Sequence, residues 1–159
     1  MNELTIHDYL QKKGLSEYGI AGLMGNLFAE SGLNPRNLQN SYENVLGMND
    51  NAYVAAVDNG IYTNFVQDKA GFGLAQWTFW TRKQALLDFA KSSGKSIGDL
   101  TMQLDFLWKE LSESYPGVLA VLTAEDVPHN KVGHIQQDWD VMIARGDVTR
   151  CVGDAVCLV

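Results

Sequence analysis

Apolar side chains recur at helical spacing over most of the chain, and this pattern predicts a series of helices. The opening helix has Ile6, Tyr9 and Leu10 facing inward and is ended by Gly14. In the helix over 79–91, the pattern puts four residues on the inward face: Trp80, Leu86, Phe89 and Ala90. It puts Arg82 and Lys83 on the outward face. The predicted helices cover 3–13, the segment between Ser16 and Gly32, 79–91, 97–113 and 116–122, with one more short helix around Trp139, Met142 and Ile143.

The segment after Ser16 is the best-defined of these helices. The Ser16 hydroxyl can accept a hydrogen bond from an amide of the first turn, and Gly32 and Pro35 end the helix. Its predicted apolar stripe consists of Ile20, Leu23, Met24, Leu27 and Phe28. Gly19, Gly22 and Gly25 within it indicate close approach of another backbone or a ligand, with a merely permissive sequence as the alternative.

Glu30 is the unusual residue of this helix. It lies seven positions after Leu23, about 20° short of two full turns, and therefore at the edge of the apolar stripe. A carboxyl group among apolar side chains should have a raised pKa, which is the property that a general acid needs near neutral pH. The alternative is an ordinary solvated glutamate at the end of a helix.

Residues 36–66 predict a small β lobe. A polar segment rich in asparagine covers 36–50. Two runs of β-compatible residues, 53–57 and 61–66, then flank Asp58-Asn59-Gly60, which is typical of a hairpin turn.

Two motifs in order carry a family resemblance. Glu30-Ser31 with Asn34-Pro35 ends the helix, and Gly71-Phe72-Gly73-Leu74-Ala75-Gln76-Trp77 follows after the predicted lobe. This pairing resembles lysozyme-like murein hydrolases, and segments 26–43 and 68–83 are similar to the phage tail lysozyme family. The resemblance runs from about Leu15 to Leu122.

The resemblance implies a lysozyme-like α+β fold, mainly α, with the β-hairpin lobe between the Glu30 helix and the later helices. It places a catalytic domain at 1–123 and a divergent C-terminal extension at 124–159, whose last dozen residues read as a poorly anchored tail. The extension either closes the fold in its own way or continues into a longer protein.

The composition narrows the possible partners. A net charge of −7 argues against nucleic acid, because phosphate binding needs clustered Lys and Arg. No apolar run is long enough for a membrane span, and the first residues do not resemble a signal peptide. Together with the resemblance to the phage tail lysozymes, this leads us to expect a monomeric domain in a phage particle or at the extracellular cell wall. Cys151 and Cys157 are predicted to be free thiols, with a local disulfide as the alternative.

Glycosidic bond cleavage requires a proton donor and stabilisation of an oxocarbenium-like transition state. Glu30 is the predicted donor, and the resemblance favours Glu43, in the polar loop after it, as the second carboxylate. Asp58 is explained by the hairpin turn, Asp50 by its Asn-rich loop, and Asp68 by a turn before Gly71. A mechanism without a second carboxylate, through a group of the substrate itself, stays open.

Four further residues are predicted to bind substrate. Gly73 permits close approach of the backbone, and Gln76 can donate to and accept from an N-acetyl group or support Glu30. Trp77 offers a flat face to a pyranose ring, with core packing as the alternative, and Tyr53 is a candidate for the groove wall. No metal or cofactor is predicted.

The resemblance, with Glu30 as the acid, implies a peptidoglycan glycan-strand hydrolase of the muramidase type, associated with a phage or prophage tail and its proteins. A lytic transglycosylase that uses the same Glu30 is one alternative. A non-catalytic wall-binding tail module is the other.

Overall fold

The computed structural model describes residues 2–124, 148–151 and 155–158. The predicted helical series is confirmed in outline. The helices are α1 (Asn2–Lys12), α2 (Glu17–Ser31), α3 (Asn40–Leu46), α4 (Asp50–Asp58), α5 (Trp80–Ser93), α6 (Leu100–Glu113) and α7 (Pro116–Thr123), and the strands are β1 (Val148–Cys151) and β2 (Ala155–Leu158).

Helix α2 lies against α1 and α7, and α6 lies against α1, α5 and α7. The Ser16 hydroxyl accepts from the amide of Gly19 at 3.1 Å, as the sequence predicts for an N-cap. Of the three glycines in α2, Gly19 is explained by close approach of another backbone. A Cβ at this position would lie 2.0 Å from the carbonyl oxygen of Leu122 in α7. Only a residue without a side chain permits this contact between the two helices. A Cβ at Gly25 would meet nothing within 4 Å, so close approach does not explain that glycine.

The apolar stripe of α2 is confirmed at most positions. Ile20, Leu23 and Leu27 are buried, and Met24 packs against the core from a half-buried position. Phe28, which the sequence predicts on the stripe, is instead 66% exposed.

The predicted β-hairpin lobe is wrong, since residues 36–66 contain the helices α3 and α4 and no hairpin. The run 53–57 satisfies helical as well as strand spacing, because Tyr53, Val54 and Val57 are all buried on one face. The side chain of Asn49 caps α4 by accepting from the amide of Ala52, and the two central alanines favour a helix. Asn59 and Gly60 therefore end a helix instead of turning a hairpin.

The β-like structure of this region is limited to two isolated bridges. Phe72 pairs with Leu38 on one side and with Trp77 on the other. Backbone bonds from Phe72 N to Trp77 O (3.2 Å) and from Trp77 N to Phe72 O (2.9 Å) close the turn between them. Gly73 and Gln76 both have positive φ in this turn, at 75° and 45°. The Gly71–Trp77 motif is thus a tight loop fixed at both ends.

The sequence pattern assigned the two basic residues of α5 to the wrong face. Lys83 is fully buried, Arg82 is 8% exposed, and Trp80, predicted inward, is 51% exposed. The Lys83 ammonium group lies 2.5 Å from the carboxylate of Asp68 and donates to the carbonyl of Ala70 at 2.8 Å. The buried ion pair thereby anchors the chain that leads into the Gly71–Trp77 loop.

Near the C-terminus, β1 and β2 pair antiparallel, with Thr149 opposite Cys157 and Cys151 opposite Ala155. This pair occupies the segment that the sequence suggested to be a tail. The predicted helix around Trp139, Met142 and Ile143 lies outside the described residues. The predicted boundary between the catalytic domain and the C-terminal extension, at 123/124, coincides with the end of α7 and stays a prediction. The redox state of Cys151 and Cys157 also stays a prediction.

Candidate active site

Glu30 lies in the last turn of α2, two residues before Gly32 ends the helix in the left-handed conformation. Both of its carboxyl oxygens are buried, and neither has a hydrogen-bond partner in the described part of the chain. Burial raises the pKa of Glu30 from 4.5 to about 8, and the positive charge of Arg82 opposes this rise. The sequence predicted the direction of this shift. Glu30 therefore keeps its proton at neutral pH.

Ser31 connects the end of α2 to the Gly71–Trp77 loop. Its hydroxyl lies 2.9 Å from the carbonyl oxygen of Leu27 and 3.0 Å from that of Leu74. The first contact is within the helix, and the second crosses to the loop. The two motifs of the family resemblance are thus in direct contact, and Glu30 is held next to that contact.

Arg82 and Glu110 form a nearly buried pair on α5 and α6. The guanidinium group donates from Nε to Oε1 at 2.8 Å and from Nη2 to Oε2 at 2.7 Å. The indole Nε1 of Trp77 donates to the same Oε2 at 2.8 Å. A bidentate pair of this kind has a fixed geometry. Arg82, whose charge acts on Glu30, is therefore held in place by Glu110 and Trp77.

The sequence pattern predicts neither Arg82 nor Glu110 in the site, because it puts Arg82 on the outward face of its helix and gives Glu110 no role. A signal was present. Arg82 lies four residues before the buried Leu86 and eight before the buried Ala90, in line with the inward face of α5. Glu110 similarly follows Leu107 by three residues and precedes Leu111 on α6.

The structure places Gln76 and Gly73 in the support of the loop. Gln76 is 6% exposed, and its amide nitrogen lies 2.9 Å from Asn37 Oδ1 and 3.1 Å from the carbonyl of Gly73. A Cβ at Gly73 would lie 2.7 Å from the side-chain oxygen of Gln103, which accepts from the amide of Leu74 at 2.9 Å. Of the two roles predicted for Gln76, these contacts favour support of the site.

Trp77 and Tyr53 do not offer faces to a substrate groove. Both are fully buried. The Trp77 ring packs edge-on against Phe106, with 5.5 Å between the ring centroids. The Tyr53 hydroxyl donates to Asp68 at 2.6 Å and accepts from the Lys83 ammonium group at 3.3 Å. For Trp77 the core alternative is correct, and Tyr53 belongs to the buried ion-pair cluster.

Glu43 lies in the first turn of α3, half-buried, in a helix and not in the predicted loop. The three competing aspartates are all engaged in structure. Asp50 accepts from the amide of Leu38 at 2.8 Å, and Asp68 pairs with Lys83. Asp58 accepts from the amide of Ile97 at 3.0 Å, a role different from the hairpin turn expected of it. The role of Glu43 as the second carboxylate stays a prediction.

Two possible features are not found among the described residues. They contain no cluster of three or more His, Cys, Asp or Glu side chains arranged to hold a metal ion. None of their helices has the length and apolar character needed to cross a membrane.

The fold and the site define a mainly helical, lysozyme-like protein. A family model for the phage tail lysozymes matches residues 1–145, and the chain belongs to this family. Membership of this family supports a function as a lysozyme-like cell wall hydrolase associated with a phage. No curated protein matches the chain.

Proposed function

We propose that this protein hydrolyses the glycan strands of peptidoglycan as a muramidase, with Glu30 as the general acid. The observation that carries the proposal is the Glu30 carboxyl group, buried without a hydrogen-bond partner in the described structure and with a pKa of about 8. A group in this state has a proton to give at neutral pH, and no neighbouring acceptor competes for it. Family membership supplies the substrate class.

In the reaction, Glu30 protonates the glycosidic oxygen as the bond to the anomeric carbon breaks. Positive charge then develops on the sugar ring. Glu43 either attacks the anomeric carbon or takes a proton from the attacking water. Arg82 limits how far the pKa of Glu30 rises, so that the ionised form left after proton transfer is not excessively costly.

The setting follows from the same proposal. The substrate is the bacterial wall, and the other partners are proteins of a phage tail, with the catalytic domain acting as a monomer at the wall or in the particle. Nucleic acid and cofactors have no part in this proposal.

Replacement of Glu43 by Gln should lower the maximum of the activity profile, because the carboxylate of Glu43 is required as nucleophile or base. The alkaline limb belongs to Glu30 and should stay. The measurement is the rate of wall clearing between pH 4 and 9 for both proteins. An unchanged profile would make Glu43 a bystander and leave catalysis to Glu30 with a water or a substrate group.

A lytic transglycosylase is the main alternative, because it uses the same acid and lets the 6-hydroxyl of the muramic acid residue attack. Mass spectrometry of the soluble products separates the two reactions. Hydrolysis adds one water per cleaved bond and leaves reducing ends, whereas transglycosylation leaves anhydro ends. We expect reducing ends.

A non-catalytic wall-binding module is the alternative from another class. It predicts that the protein sediments with purified cell walls but neither clears their turbidity nor releases fragments. The unpartnered, protonated Glu30 favours turnover, because a binding module has no need of such a group.

A further inference from the structure

Two adjacent aromatic side chains at the start of α5 are exposed. Phe79 is 52% and Trp80 51% exposed, their ring centroids are 6.2 Å apart, and the ring planes meet at 43°. The exposed half of each ring keeps its apolar surface in water and adds nothing to the stability of the fold. The pair therefore calls for a function outside the core.

The pair stands at the same end of α5 as the charge that acts on Glu30. Phe79 is the N-cap residue, and its carbonyl accepts from the amide of Lys83 at 2.9 Å to close the first turn. Arg82 follows Phe79 by three residues, so the two share a face of the helix within one turn. The rings thus open the helix whose first turn carries Arg82, the residue whose charge acts on Glu30.

The residues that precede the pair, Trp77 and Thr78, are held by hydrogen bonds. Trp77 is held by two backbone bonds to Phe72 and by the indole bond to Glu110. The hydroxyl of Thr78 donates to the carbonyl of Gln76 at 2.8 Å. The backbone that presents the rings is therefore fixed before any ligand arrives, which reduces the entropy lost on binding.

The chemistry around the rings indicates a neutral ligand. Residues 70–81 contain no charged side chain, and the charges of Arg82 and Lys83, which follow, are already paired with Glu110 and Asp68. A charged stem peptide or an anionic wall polymer would need an opposite charge here, whereas the C–H face of a pyranose needs only a flat apolar surface. We propose that Phe79 and Trp80 form an aromatic platform that binds a sugar ring of the glycan strand next to the bond that is cleaved.

This inference rests on the proposed function and is tested by binding. Oligomers of N-acetylglucosamine are titrated by calorimetry into the Glu30→Gln protein, so that the ligand is not consumed. We expect Trp80→Ala or Phe79→Ala in this background to weaken the affinity about tenfold or more, and Trp80→Tyr, which keeps a ring, to retain most of it. Because both side chains are exposed, the unfolding midpoint should change little.

Phe28→Ala is the matched control. Phe28 is also exposed, at 66%, but lies two positions from Glu30 on α2, about 160° around the helix axis, where it lines a groove with Met24 and Leu33. Its replacement should leave the affinity unchanged. Equal binding by the Phe79, Trp80 and Phe28 variants overturns the platform alone, whereas no binding by the Glu30→Gln protein overturns the platform and the glycan substrate together.

Discussion

Glu30→Gln is expected to reduce wall lysis by at least about 10²–10⁴-fold, the usual contribution of proton transfer by a positioned acid. The amide has nearly the same size as the carboxyl group, so the packing at the end of α2 should be kept, but it has no proton to give. The measurement is the clearing of purified cell walls at pH 6. Glu113→Gln, on an exposed position of α6, is the matched control and should retain full activity. A Glu30→Gln protein that clears walls at a tenth of the parent rate would show that another group is the acid.

The same variant should be more stable than the parent at alkaline pH. In the folded protein Glu30 keeps its proton up to about pH 8, whereas in the unfolded chain it loses it near the ordinary value of 4.5. The folded state therefore binds more protons in this window, and the parent's free energy of unfolding falls as pH rises from about 4.5 to about 8. The Gln side chain does not ionise, so the free energy of unfolding of the variant lacks this decrease.

Denaturant unfolding of both proteins at pH 5 and pH 8.5 measures the difference. The gap between the variant and the parent should widen at the higher pH in favour of the variant. Parallel changes in the two proteins would mean that Glu30 is not protonated in the folded state. This measurement does not depend on activity, so it tests the ionisation of Glu30 separately from its role as an acid.

The elements that the sequence predicted well are those with several agreeing local signals. Around α2, a capping serine, an apolar period and a left-handed glycine all favour one helix, and the structure has it. The segment 53–57 lacked such agreement, because its apolar positions fit two periods. There the Asn49 cap and the alanines decided for α4, and the Asn-Gly pair marked a helix end.

For the site, the sequence led to Glu30 and to the raised pKa of its carboxyl group, because both follow from position on a helix. It assigned the wrong role to Trp77, since burial of an aromatic ring depends on what packs over it. Here Phe106 and Glu110 of α6 cover the ring from a segment about 30 residues away. Local pattern carries no information about such contacts. The exposed Phe79 and Trp80, next in the chain, are better placed to meet a substrate.

The Arg82–Glu110 pair is the part of the site with the largest expected effect on stability. Arg82→Met removes the positive partner of a carboxylate whose side chain is only 12% exposed. Breaking a buried pair in this way costs about 3–5 kcal/mol, because the remaining charge is left without compensation. Lys109 and Glu113 form an exposed pair on α6, the helix that carries Glu110. Lys109→Met is therefore the control and should cost less than about 1 kcal/mol of stability.

Arg82→Met should also change the pH profile in a way that lost stability alone does not. The charge of Arg82 opposes the rise in the pKa of Glu30, so its removal should move the alkaline limb of wall clearing to higher pH. The double variant Arg82→Met, Glu110→Gln removes both charges and keeps an acceptor for the indole of Trp77. It should regain much of the lost stability while the alkaline limb stays displaced. If the double variant instead restores the parent's alkaline limb, the guanidinium charge does not act on Glu30, and the pair serves only to join α5 to α6.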